Sequence, residues 1–90
     1  MTDEPKETLL TFPCDFTIKV FGMASPAFDA AVSEIIHKHI PTIAESAFKR
    51  RPSENGKYTA ISVTVPVASQ AQLDTIYRDL SASPHILMAL

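Results

Sequence analysis

Two hydrophobic periods alternate along this chain, and their order constrains its fold more than any motif does. Period two runs through Phe16, Ile18 and Val20, with Thr17, Lys19 and Phe21 between them, the pattern of a strand with one buried face. A helical period follows, placing Phe28, Ala31, Val32, Ile35 and Ile36 on one side. Period two returns weakly over Glu45–Arg51, where Ala47, Lys49 and Arg51 share one side and Phe48 lies on the other. It is strong over Tyr58–Val65, where Ile61, Val63 and Val65 oppose Tyr58, Ala60, Ser62 and Thr64. Leu73, Ile76, Tyr77 and Leu80 restore helical spacing, and Ile86–Leu90 reads as a short apolar strand. The order is strand, helix, strand, strand, helix, strand.

Punctuation between these segments supports the reading. Gly22 is expected to end the first strand. Ser25-Pro26 supplies a hydroxyl cap and a proline at the first helical position, and Pro41 stops that helix. Asp29, Ser33, Glu34, His37 and Lys38 are expected to face solvent. His37 and Lys38 also suit the negative C-terminal end of the helix dipole. Pro52–Lys57 reads as a hairpin loop in which Asn55-Gly56 supplies positive φ, and Pro66 is expected to end the third strand. Ser69-Gln70-Ala71-Gln72 is a capping box opening the second helix, on which Asp74 and Arg78 are spaced as an i,i+4 ion pair.

Right-handed crossovers place both helices on one face of a four-stranded antiparallel sheet. The expected fold class is therefore α+β, a ferredoxin-like βαββαβ sandwich with spatial strand order 4-1-3-2. The opposite sheet face stays open and carries Thr17, Lys19 and Phe21 from the first strand and Tyr58, Ala60, Ser62 and Thr64 from the third. A slip of one residue would exchange the two faces.

Ninety residues suit one domain, expected over 10–90, with 1–9 as a flexible N-terminal tail. The net charge of −2 argues against a general nucleic-acid binder. A single cysteine, Cys14, allows no internal disulfide and fits a reducing compartment. Met1–Thr8 lacks the basic end and apolar run of a secretion signal, and no apolar run approaches the ~20 residues that span a bilayer. A cytoplasmic protein is expected.

Phe12-Pro13, the strand Phe16–Val20 closing in Gly22, and the hairpin Pro52–Tyr58 leading into Thr59–Val65 resemble the small bacterial YbeD-like proteins, a family of unknown function. The resemblance covers Leu10 to Leu90. Those proteins usually carry Ser-Ser or Ser-Lys before the hairpin glycine, where this chain has Glu54-Asn55. The resemblance implies a domain similar to ACT domains, which bind small effectors such as amino acids near the first strand-to-helix turn. The matching positions here are Gly22, Met23, Ala24 and Ser25. Read from the residues alone, the same segment is a tight turn with a helix cap. Pro26 removes one of the N–H groups that a carboxylate would use.

Lys49, Arg50, Arg51 and Lys57 cluster around the hairpin with only Glu54 opposing them. They are the strongest candidate docking patch for an acidic protein partner. Their other reading is a charged guard against edge-to-edge strand pairing. His37 and His39 lie roughly 200° apart around a helix and cannot share an ion, His39 reads as a core or capping residue, and His85 falls in a turn. No metal, cofactor or catalytic set is expected, and Cys14 has no visible partner base. Lys19, Phe21 and Tyr58 on the open face offer a small platform for single-stranded RNA, which stacks on sheet aromatics. Ile86–Leu90 is an apolar edge without charge, so a homodimer through it is a further expectation. The leading expectation is a non-enzymatic, ACT-like regulatory or protein-interaction module. Effector binding at the turn and RNA binding on the sheet are the alternatives.

Overall fold

In the computed structural model, which describes residues 11–90, the elements follow the expected order. They are β1 (Cys14–Met23), α1 (Pro26–His39), β2 (Phe48–Pro52), β3 (Tyr58–Val67), α2 (Gln70–Ala82) and β4 (Met88–Ala89), with a 3-10 turn at Glu45–Ala47 before β2. The tail expected over 1–9 lies outside the described residues. The sheet runs β2-β3-β1-β4, which is the expected order read from the other edge. All three pairings are antiparallel.

β1 and β3 form the backbone of the sheet, matched residue for residue from Cys14↔Val67 to Met23↔Tyr58. This register sends Ile18, Val20, Ile61, Val63 and Val65 to the helix side. There they pack with Phe28, Val32 and Ile36 of α1 and Leu73, Ile76 and Leu80 of α2, all of them buried. The alternation therefore reads the faces correctly: Lys19 and Thr64 are exposed while their strand neighbours are buried.

Four local expectations are corrected. Gly22 does not end β1; it lies within the strand opposite Thr59 and is buried. Its role is close packing, because a Cβ there would stand 2.3 Å from the Phe28 ring and 2.8 Å from the His85 carbonyl. Pro66 does not end β3 but pairs with Asp15. Lys19 exchanges backbone hydrogen bonds with Leu90 at 2.9 and 2.7 Å, so odd-numbered β1 residues turn their polar groups toward β4. Asp15↔Pro66 is then a non-hydrogen-bonded pair. The missing N–H of Pro66 faces the side where β2, whose last partner is Phe48↔Val63, has already ended.

The third correction is the start of β2. Glu45–Ala47 is a 3-10 turn, with the Ala47 N–H donating to the Ala44 carbonyl at 3.0 Å, and the strand begins at Phe48. The fourth is on α2, where Asp74 accepts from Gln70 at 2.9 Å instead of pairing with Arg78.

Both helix caps form as read. Ser25 accepts from the Phe28 N–H at 3.1 Å and Pro26 sits at the start of α1. Ser69 accepts from the Gln72 N–H at 3.2 Å, while the Gln72 side chain takes the Ala68 N–H at 2.7 Å. In the hairpin, Gly56 has φ of 73°. The Asn55 carboxamide accepts from Lys57 N–H at 3.1 Å and from the Ser53 hydroxyl at 3.0 Å.

The helices are clamped at one end. His39, only 14% exposed, donates from Nε2 to Asp79 at 2.7 Å, and Lys38 reaches the same oxygen at 3.5 Å. The His39 hydrogen bond, aided by the charge of Lys38 and opposed by partial desolvation, holds the Asp79 carboxyl below its ordinary value of 3.8. A depressed carboxyl contributes stability that is complete above its unfolded pKa and is lost as pH falls through the lower folded value. Asp79→Asn should therefore destabilise the protein at pH 6 and flatten the loss of stability below about pH 4. Urea denaturation of both proteins from neutral pH into acid checks this. Parallel stability curves would reject the clamp.

Candidate binding face

The register assembles the open face in rows. Lys49 and Arg51 of β2 stand opposite Ser62 and Ala60 of β3. Those in turn face Lys19 and Phe21 of β1, and Phe21 faces Met88 of β4. One row reads Lys49, Ser62, Lys19; the next reads Arg51, Ala60, Phe21, Met88. Six of these side chains, with Arg50 at the rim, line a concavity of about 570 Å³, within the range of ligand pockets. Small residues on the central strand form its floor, and longer ones on the flanking strands form its walls. Further along, Thr17 and Thr64 join hydroxyls at 3.0 Å.

Charge divides sharply between the two faces of β2. Arg50 falls on the helix side, opposite Ile61, and its guanidinium is held by Asp29 of α1. The other Asp29 oxygen, Oδ1, is buried with no hydrogen-bond partner among the described residues. Asp29, Ser33 and His37 do not face solvent as expected; they form a stripe along α1 that flanks β2. His37 stacks on Phe48 with ring centroids 5.9 Å apart and donates from Nδ1 to the Ser33 carbonyl at 2.8 Å. Lys49 and Arg51 point the other way. Among the described residues, no carboxylate lies within 4.0 Å of Lys19, Lys49 or Arg51. Lys57 stands apart, over the Tyr58 ring at 5.7 Å.

The basic hairpin cluster is thus split by parity. Two of its four cations join Lys19 and Phe21 from the other candidate group. Tyr58 lies at the end of the same face, opposite Met23, and both are exposed. The sequence pattern places Ala60 and Ser62 on the open face, as the structure does, without showing that they form a floor between β2 and β1 or that Met88 neighbours Phe21. The β3 alternation carried the signal for the floor. Met88 could not be placed, because the two-residue β4 has no alternation long enough to set a register.

At the β1–α1 turn, Met23, Ala24 and Ser25 line a smaller depression with Pro84, His85 and Leu87. Three polar groups there are engaged. Ala24 N–H donates to the Lys57 carbonyl at 2.9 Å, Ser25 Oγ caps Phe28, and Ser25 carbonyl accepts from Asp29 N–H at 3.3 Å. Gly22 is sealed under Phe28. Cys14 is half-buried and packs against the core edge. Among the described residues, no three His, Cys, Asp or Glu side chains are grouped to hold a metal, and no helix is long and apolar enough to cross a membrane.

An antiparallel four-stranded sheet with two helices on one face and this strand order defines an α+β domain of the ferredoxin-like class. The solution structure of HP0495 from H. pylori shares the fold, with a TM-score of 0.71 at 16% identity, covering 100% of this chain and 98% of that one. The family model described as "Protein of unknown function (DUF493)" matches residues 7–90, and the chain belongs to that family. Bacterial relatives carry the name UPF0250 protein. That of Neisseria gonorrhoeae (strain ATCC 700825 / FA 1090) is 40% identical over 87 residues, covering 97% of this chain and 96% of its own. That of Chromobacterium violaceum is 38% identical over 90 residues, with both chains fully covered.

Proposed function

We propose that this protein is a non-catalytic, ACT-like interaction module that docks an acidic protein partner on its open sheet face. The observation that carries this reading is the convergence of Lys19, Lys49 and Arg51, without carboxylate partners among the described residues, around Phe21 in one concavity. Sidedness matters more than net charge here. A chain of charge −2 presents a cationic face, and such a face steers and orients an acidic partner. Half-buried Phe21 beside Arg51 also matches protein-interaction surfaces, which favour aromatics and arginine. A cytoplasmic setting accords with the unpaired Cys14.

A second reading, single-stranded nucleic acid, draws on the same cations with Phe21 and Tyr58, since bases stack on aromatics beside a positive groove. Effector binding at Gly22–Ser25 draws less support, because the Ala24 N–H and both oxygens of Ser25 are already engaged.

Titration of the isotope-labelled protein with poly-L-glutamate, and separately with oligouridylate, tests the reading by amide NMR. Poly-L-glutamate should shift Lys19, Phe21, Lys49, Arg51, Ala60 and Ser62, leave the outer faces of α1 and α2 unmoved, and weaken as salt screens the charges. Binding by oligouridylate alone would assign the face to nucleic acid. Silence from both would remove the docking reading.

A further inference from the structure

The concavity has two ends of different chemistry, and their spacing specifies what lies in it. At one end, Lys49 and Lys19 face each other across Ser62; at the other, Arg51 and Phe21 face each other across Ala60. The walls belong to β2 and β1, which are two strand spacings apart, about 10 Å. That separation is narrower than an α-helix with its side chains, about 10–12 Å across, once the wall side chains are counted. An extended chain fits. Along each wall the two rows are two residues apart, about 6.6–6.8 Å, which is the spacing of like-facing side chains on an extended segment.

We propose that the groove takes an extended acidic segment of a partner protein in which an aromatic side chain lies two residues from a carboxylate. The carboxylate lies between Lys19 and Lys49 above the Ser62 hydroxyl. The ring lies between the Arg51 guanidinium and Phe21, where the methyl floor of Ala60 leaves it room. Arginine and phenylalanine on opposite walls recognise a flat ring by cation–π and aromatic contact. Charge complementarity selects this occupant over a second copy of the chain, whose own open face would set Lys19, Lys49 and Arg51 against the same three cations. The inference rests on the docking reading above and specifies its partner.

The test uses blocked peptides with Glu-Ser-Phe at the centre, titrated into the full chain alongside poly-L-glutamate and oligouridylate. The Glu-Ser-Phe peptide should bind with Kd below about 1 mM, and peptides with Gln-Ser-Phe or Glu-Ser-Ala should bind at least tenfold more weakly. Phe21→Ala should abolish the preference for Phe over Ala, and Lys49→Gln should reduce the preference for Glu over Gln, as coupled pairs do. Arg78→Gln, exposed on α2 and outside the groove, should change neither. Equal binding of a Glu-Phe-Ser peptide would overturn the spacing while leaving acidic docking intact. Binding of oligouridylate without any peptide, or sedimentation showing self-association through this face, would overturn both. No binding by any peptide or by poly-L-glutamate would do the same.

Discussion

Gly22→Ala is expected to destabilise this protein by about 3 kcal/mol, at the upper end of the usual range for overpacking a core. The added Cβ would lie 2.3 and 2.5 Å from two atoms of the Phe28 ring and 2.8 Å from the His85 carbonyl oxygen. Relief in either direction is costly. Phe28 is fully buried in the hydrophobic core, and the His85 carbonyl is backbone. Loss of glycine's freedom in the unfolded chain works the other way, by only about 0.4–1 kcal/mol. A loss of that size lowers Tm by roughly 12–24 °C in a domain this small. Phe28→Leu in the same protein removes ring atoms from the clash, so the double variant should lose less than the sum of its single losses. Thermal and urea denaturation of the set check this. A Gly22→Ala protein within about 0.5 kcal/mol of the parent, the range of an inert surface change, would show that the strand shifts freely. The same substitution at Gly56 meets no atom within 4 Å but forces alanine to φ of 73°. That should cost about 1–2 kcal/mol, a backbone effect that no change at Phe28 relieves.

Gly22 also shows where the sequence misleads. Read locally, a glycine after an alternating run ends a strand, because glycine weakens strands. The true cause lies in the ring of Phe28 and the backbone of His85, remote in the chain or on another element. Pro66 misleads for a related reason: whether a proline is tolerated depends on which neighbour its N–H would face, and β2 ends short of it. By contrast, long alternations such as Phe16–Phe21 and Tyr58–Val65 place every residue on its correct face. Period two is imposed by the pleat itself and leaves little room for tertiary override. The candidate site was legible in its parts and not in its assembly. Lys49, Arg51, Lys19 and Phe21 stood out singly, but two separate groupings divided them. Only the β2–β3–β1 register joins them and removes Arg50, and register between distant strands is not written in any one of them.

The parity of β2 yields the sharpest functional prediction. Lys49→Glu and Arg51→Glu together with Lys19→Glu should abolish binding of an acidic partner, lowering affinity at least a hundredfold, equivalent to about 2.7 kcal/mol. Folding should be little affected. All three side chains are exposed and have no carboxylate within 4.0 Å among the described residues, and surface changes of this kind usually stay within ±0.5 kcal/mol each. Arg50→Glu, between two of these positions in sequence, should do the reverse. It breaks the contact with Asp29, whose Oδ1 is already buried without a partner among the described residues, and sets two carboxylates together. Because Arg50 is 57% exposed, the loss of stability should be about 1 kcal/mol, with a far smaller loss of affinity than in the triple variant, since Arg50 meets the concavity only at its rim. Denaturation and binding measured on both proteins separate the outcomes. If all four cations formed one hairpin patch, the Arg50 variant would lose binding as the others do. Only a strand that turns Lys49 and Arg51 to one face and Arg50 to the other makes binding the larger loss in one variant and stability the larger loss in its neighbour.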